Sequence, residues 1–237
     1  MPTLTIRALP TALAAIAISL FCTSAALADD PPSNDFRIGS YSVFYHANAS
    51  DLSGPFIPLG EKLNFHVEDL ETLYFGYLRR LSPHFTFELA MGLPPVSKTK
   101  GRGPLDLGSV PYNDQVLSSA RWFAPTALIE YNFLPESSPV RPFIGVGVNY
   151  TYFYDRTSTG PGDAVGGGPT KISLPASVGP AGTVGLTWRP APHWNFTVSY
   201  GGSKVNARLT ADTAGEVRTS HIEFNPTALI ISMGLSF

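Results

Sequence analysis

The sequence predicts an all-β protein, an eight-stranded antiparallel transmembrane β-barrel of the outer-membrane type, and three observations predict it. Eight extended segments carry apolar side chains at every second position. The connections between those segments alternate strictly between short and long. Charged residues make up only 14% of the chain against a typical ~25%, while aromatic residues reach 12%. Few charges and many aromatics suit a surface that faces hydrocarbon rather than water.

The chain begins with "MPTLTIRALPTALAAIAISLFCTSAALADD": one cation (Arg7), an apolar run from Thr11 to Phe21, and the small-residue site Ala26-Leu27-Ala28. This is the pattern of a secretory signal peptide, too short and Ala-rich for a membrane anchor. Residues 1–28 are expected to be cleaved, leaving 29–237 as a single barrel domain. The sole cysteine, Cys22, falls in the removed segment. Phe21 before it is too bulky for a lipoprotein signal, so the mature chain is expected to carry no thiol, disulfide or lipid anchor. Beyond the signal there is no apolar run of ~18 residues, so no transmembrane helix is predicted. The formal net charge of −2 becomes one unit more negative without Arg7, and nothing in it points to nucleic acid.

The predicted strands are Phe36 to His46, Leu70 to Arg80, His84 to Lys98, Val116 to Phe133, Arg141 to Asp155, Ser173 to Arg189, His193 to Thr210 and Arg218 to Phe237. "RLSPH", "LPESSPV" and "RPAPH" are short turns, whereas "ANASDLSGPFIPLGEKLNFHVED", "TKGRGPLDLGSVPYNDQ", "RTSTGPGDAVGGGPTKI" and "ADTAGEV" are longer and polar or Gly-rich. Turns at one end and long loops at the other describe a bacterial outer-membrane barrel, with turns and both termini in the periplasm. An even strand count fits this class. In "HFTFELAMGL", Phe85, Phe87, Leu89, Met91 and Leu93 share one face, against Thr86, Glu88, Ala90 and Gly92. Trp194, Phe196, Val198 and Tyr200 likewise oppose Asn195, Thr197, Ser199 and Gly201. Tyr131, Tyr152, Tyr154, Trp188 and Trp194 stand where aromatic girdles meet the two membrane interfaces. The final segment, "ALIISMGLSF", alternates to its last residue. As strand eight it must pair with strand one, because an open sheet edge cannot exist in hydrocarbon.

Several stretches resemble a known family on their residues: "FELAMGLPP", "WFAPTALIEYNF", "VRPFIGVGVNYTYFYD", "SVGPAGTVGLTW" and "EFNPTALIISMGLSF" are similar, in order, to strands three, four, five, six and eight of the OmpW family of outer-membrane proteins. The chain departs from the family at Asn225 and Thr227, where Asp and Trp are usual. The resemblance implies a narrow barrel with a hydrophobic passage for passive uptake of small hydrophobic molecules, released sideways into the bilayer. It implies no cofactor. Expected partners are outer-membrane lipid and lipopolysaccharide, the small hydrophobic molecules themselves, and the barrel-insertion machinery, addressed through Phe237.

Eight strands leave an interior that side chains largely fill, which excludes a wide aqueous pore. Candidate lumen-lining residues are Glu88, Thr126, Glu130, Asn149, Thr151 and Thr183. Glu88 and Glu130 need counter-charges inside a barrel, for which Arg79, Arg80, Arg121 and Arg141 are candidates; the pairs either plug the lumen or only fix its packing. Gly145, Gly147, Ala181 and Gly185 either leave a slim pocket or make room for packed neighbours. Phe56, Ile57, Leu59 and Leu63 form a candidate ligand entrance, apolar residues in a loop with no core to fill.

Enzymatic function is not expected. "GVGVNY" lacks the third glycine of a dinucleotide loop, and "GDAVGGGP", read as a mobile loop, lacks the Lys-Ser or Lys-Thr of a phosphate loop. The histidines His46, His66, His84, His193 and His221 lack metal-ligand spacing. His46 with Ser50 and Ser220 with His221 are Ser–His neighbours, but adjacency in sequence is not the geometry that lipid-modifying catalysis needs. The remaining alternative is a non-transporting barrel that anchors the envelope or supports adhesion. Deleting Phe237 is expected to lower the amount of heat-modifiable, folded barrel while leaving export intact, measured by gel shift on outer-membrane fractions.

Overall fold

The computed structural model describes residues 33–46, 48–49, 51, 64–103, 106–107 and 110–237. The predicted signal segment 1–28 and the candidate entrance residues Phe56, Ile57, Leu59 and Leu63 lie outside them. In chain order the strands are β1 (Asn34–Phe44), β2 (Asn48–Ala49), β3 (Asn64–Val67), β4 (Leu70–Arg80), β5 (Phe85–Gly92), β6 (Val96–Arg102), β7 (Asp106–Leu107), β8 (Val110–Pro111) and β9 (Val116–Phe123). They continue as β10 (Thr126–Asn132), β11 (Val140–Ser158), β12 (Thr170–Ser173), β13 (Ser177–Ala191), β14 (Trp194–Ser203), β15 (Asn206–Thr213), β16 (Glu216–Glu223) and β17 (Thr227–Ser236).

Eight of these close into an antiparallel barrel in the order β1, β4, β5, β10, β11, β13, β14, β17 and back to β1. The seam runs from Asp35–Ser236 to Phe44–Thr227. Asn34 and Phe237 exchange both backbone hydrogen bonds, at 3.1 and 2.8 Å, so the chain is paired to its last residue. β3, β6, β9, β12, β15 and β16 prolong the wall beyond the barrel at the loop end, with β2 pairing onto β16.

Side-chain polarity is inverted relative to a water-soluble fold. Val146 is 66% exposed and Val178 69%, whereas Asn195 is 0% and Glu130 2% exposed. Outward residues such as Ile38, Ile144, Val184, Val198 and Ile231 face where acyl chains lie, because alternation places every second residue on that face. At the turn end, Tyr131 packs edge-on against Phe85 and Phe133 at 5.4 and 5.3 Å, and Trp188 lies 5.6 Å from Phe196, forming an aromatic band.

Every predicted strand overlaps a barrel strand, but five of the eight are interrupted, the seventh at Lys204-Val205. The third breaks at Leu93-Pro94-Pro95, the fourth at Ala124-Pro125, the sixth at Leu174-Pro175-Ala176 and the eighth at Phe224-Asn225-Pro226. Proline has no N–H for the ladder, and each of these four breaks falls on one, whereas the seventh strand's does not. Two loop readings are corrected. "ADTAGEV" is a tight hairpin in which Thr213 pairs with Glu216, with Ala214 and Gly215 at φ of 53° and 93°. "GDAVGGGP" is not a loop throughout: Gly160–Gly166 is a short helix capped by the Thr159 hydroxyl, which accepts from the Gly162 N–H at 3.1 Å.

The long connections sit opposite the short turns, which predicts that epitope tags in "LPESSPV" and between Ala214 and Gly215 are reached from opposite sides of the membrane. Intact-cell labelling is expected to detect the second and not the first.

Candidate functional site

The interior is layered along the barrel axis. In the loop half, inward residues are apolar: Val43, Trp122, Phe153, Leu174, Val205, Ile222 and Phe224 form one buried cluster. Phe224 packs at 6.4 Å on Tyr45 and at 5.7 Å on Phe153. Among them lies a cavity of about 50 Å³, which Asn149 and Thr151 also line. Their polar atoms are engaged, Thr151 Oγ1 donating to Asn149 Oδ1 at 2.7 Å and Asn149 Nδ2 to Thr126 Oγ1 at 2.9 Å. The outer cavity therefore presents mainly hydrocarbon and ring surface.

Below it is a second cavity of about 70 Å³, lined by Thr126, Leu128, Ala181, Thr183 and Ala228 among others. Its floor is polar. The Tyr74 hydroxyl donates to Glu88 Oε1, and Glu88 lies beside Glu130, whose Oε1 has no partner among the described residues. Arg37 faces both carboxyls and Asp35. Its Nε donates to Asn195 Oδ1 at 3.2 Å, and its Nη2 reaches Thr187 Oγ1 at 3.4 Å and Asp35 Oδ2 at 3.8 Å. Arg189 adds a second contact to Asp35 at 3.3 Å. Gly234 makes this packing possible: a β-carbon there would stand 2.4 Å from Asn195 Oδ1 and 2.8 Å from Arg37 Cγ. This cluster separates the inner cavity from a small charged vestibule at the turn end, lined by Arg80, Arg141 and Arg189.

The structure thus places Glu88 and Glu130 in the polar floor, Thr126 and Thr183 on the inner cavity, and Asn149 and Thr151 on the outer one. The expected counter-charges are corrected. Arg80 pairs with Glu136, Arg121 with Asp155 at 3.6 Å, and Arg141 donates to the carbonyls of Leu134 and Pro83 at 3.1 and 2.7 Å. Arg79 stands opposite the outward Phe87. The cation that faces Glu88 and Glu130 is Arg37, passed over in the sequence although it stands as a charge between outward Phe36 and Ile38. Of the small lumen residues, Gly145 and Gly185 make room for packed neighbours: a methyl would meet Thr183 Cγ2 at 2.8 Å and the Phe143 ring at 2.5 Å, respectively. Ser220 and His221 fall on opposite faces of β16, Ser220 buried and His221 exposed.

The wall itself is incomplete beside the cavities. The β5–β10 ladder ends at Ala90–Thr126, and the β6–β9 ladder starts only at Val96–Arg121. At ~3.3 Å per residue the unpaired stretch spans about 15–20 Å. Pro94, Pro95 and Pro125 sit in it without an N–H to offer. The freed carbonyls are taken by side chains instead: Leu93 O by Thr72 Oγ1 at 2.7 Å, and Ala124 O by Thr126 Oγ1 and Asn149 Nδ2, both at 3.4 Å. Met91, on the outward register of β5, lines the inner cavity at this gap.

A closed barrel with an apolar exterior, a polar floor and aromatic bands is an outer-membrane β-barrel. Residues 36–237 match the model of the OmpW family, and the chain belongs to that family and to the outer membrane of Gram-negative bacteria. It is 27% identical to outer membrane protein W of Vibrio cholerae over 165 residues, 70% of this chain and 72% of that one. It is 34% identical to the dibenzothiophene metabolism operon protein PahQ of Pseudomonas aeruginosa over 142 residues, 57% of this chain and 60% of that one. The crystal structure of OprG from Pseudomonas aeruginosa superposes with a TM-score of 0.75 at 20% identity, covering 87% of this chain and 97% of OprG. The solid-state NMR structure of AlkL in lipid bilayers gives 0.62 at 16% identity, covering 91% and 95%.

Replacing Arg37 by Met is expected to lower barrel stability by about 3–5 kcal/mol, because Glu88 and Glu130 lose their buried counter-charge while Asp35 keeps only Arg189. The temperature at which the folded band converts on a gel is the measurement.

Proposed function

We propose that this barrel takes up small hydrophobic molecules from outside the cell and releases them sideways into the membrane. In this reading the turn end and both termini face the periplasm, and the loop end faces outward. The observation that carries it is the unpaired stretch between β5/β6 and β9/β10, lying beside apolar cavities whose route to the turn end is closed by the Arg37, Glu88 and Glu130 cluster. A molecule that enters from the loops meets hydrocarbon walls, cannot cross the charged floor, and finds hydrocarbon again through the wall. Each methylene moved from water to such surroundings gains about 0.8 kcal/mol, so diffusion down a gradient needs no cofactor or energy source. The relative PahQ is named for dibenzothiophene metabolism, which makes ring hydrocarbons the compounds to test. Phe56, Ile57, Leu59 and Leu63 serve as the entrance, and Thr126, Asn149, Thr151 and Thr183 line the path.

Cells lacking the protein are expected to take up naphthalene more slowly than complemented cells. An Ala124→Trp variant, which puts a bulky ring at the mouth of the gap, should reproduce most of that loss, and polar substitution at Phe56 and Ile57 part of it. Unchanged uptake in the deletion strain, with weakened envelope integrity or adhesion instead, would show a non-transporting anchor.

A further inference from the structure

We propose that Tyr41 is the gate that sets the size limit of this passage, a role that rests on the uptake reading above. The two cavities have three lining residues in common: Tyr41, Ser203 and Pro226. Ser203 is short, and Pro226 is a fixed ring. Tyr41 alone has a long side chain with two rotatable bonds, so its position decides what passes from the outer cavity to the inner one.

The surroundings of Tyr41 place it at the gap as well as between the cavities. From β1 it pairs with Thr72 on one side and Ile230 on the other. Its ring lies over Gly92, where a β-carbon would stand 2.7 Å from Cδ1 and 3.0 Å from Cε1. Gly92 is the last residue of β5, just past the Ala90–Thr126 pair at which the wall ladder stops. The Tyr41 ring therefore covers the inner side of the unpaired stretch. Gly92 is what lets it lie there.

Two tyrosines in contact differ in freedom. Tyr74 meets Tyr41 edge to face at 6.5 Å and 71°, is 2% exposed, and is tied through its hydroxyl to Glu88. Tyr41 is less deeply buried than Tyr74, and its hydroxyl has no hydrogen-bond partner among the described residues. One ring is a fixed doorpost. The other can turn about its side-chain bonds without breaking a hydrogen bond, and it offers an aromatic edge or face to a planar guest. A single ring passes with a small rotation of Tyr41. Three fused rings need it displaced altogether, against Tyr74 and the β5 backbone.

The test uses cells lacking the protein, complemented with wild type, Tyr41→Ala, Tyr41→Phe or Gly92→Ala, with toluene, naphthalene and phenanthrene as probes. Heat-modifiability confirms the amount of assembled barrel in each strain. Tyr41→Ala is expected to raise the phenanthrene-to-toluene uptake ratio about tenfold, the scale of discrimination that steric fit in an apolar site provides. Tyr41→Phe should keep the wild-type ratio, because the ring and not the hydroxyl obstructs. Gly92→Ala should lower the ratio by pushing the ring into the passage. A wild-type ratio in assembled Tyr41→Ala overturns the gate, and the uptake reading survives if wild type still outpaces the deletion strain. If Tyr41→Ala does not assemble, an unchanged ratio in Gly92→Ala overturns it. Wild type no faster than the deletion strain for all three probes removes the uptake reading and the gate together.

Discussion

The constraint on which everything else rests is that no backbone N–H or C=O facing hydrocarbon can be left without a partner. It explains why the chain pairs to its final residue and why β17 meets β1 along ten consecutive register positions, Asp35–Ser236 through Phe44–Thr227. A sheet in water tolerates two edges, but a sheet in lipid tolerates none. Closure in turn forces the interior to be narrow, since eight tilted strands enclose only enough space for their own side chains.

The same constraint makes the break in the wall informative. Where prolines remove donors between β5 and β6 and between β9 and β10, the stranded carbonyls are satisfied from the lumen by Thr72, Thr126 and Asn149. These residues resemble ordinary polar lumen filling, yet their hydrogen bonds repair a wall that the ladder no longer holds. Stability of the gap and the polarity of the passage are thereby carried by the same side chains. That coupling limits how the passage can vary, because an apolar replacement at Thr72 would leave the Leu93 carbonyl unpaired, and apolar replacement of both Thr126 and Asn149 would do the same to the Ala124 carbonyl.

The buried charges belong to a different balance. Arg37, Asp35, Glu88 and Glu130 are buried, so their cost is offset by one another and by Arg189, Asn195, Thr187 and Tyr74. The contrast divides the barrel into a charged floor and an apolar upper half, and Tyr41 and Tyr74 meet at the boundary between them.

Period two determined much from sequence alone: which residues face lipid, that Glu88 and Glu130 point inward, where the aromatic bands fall, and that the last strand must close on the first. These properties follow from the geometry of an extended chain and are local. Alternation alone ran strands through Pro94-Pro95, Pro125, Pro175 and Pro226, and it did not show that Pro94-Pro95 and Pro125 face each other across adjacent strands and open one stretch of ladder. Nor did it identify Arg37 as the counter-charge, because four other arginines stood at plausible strand ends and only register decides which cation shares a level with Glu130. The helix at Gly160–Gly166 was hidden for a related reason, being held in part by a partner distant in sequence, Arg218, which donates to the Gly166 carbonyl at 3.2 Å. Side-chain direction is written in the alternation of residues, whereas the height at which two strands meet is set by how the whole sheet staggers as it closes, and that only the tertiary structure decides.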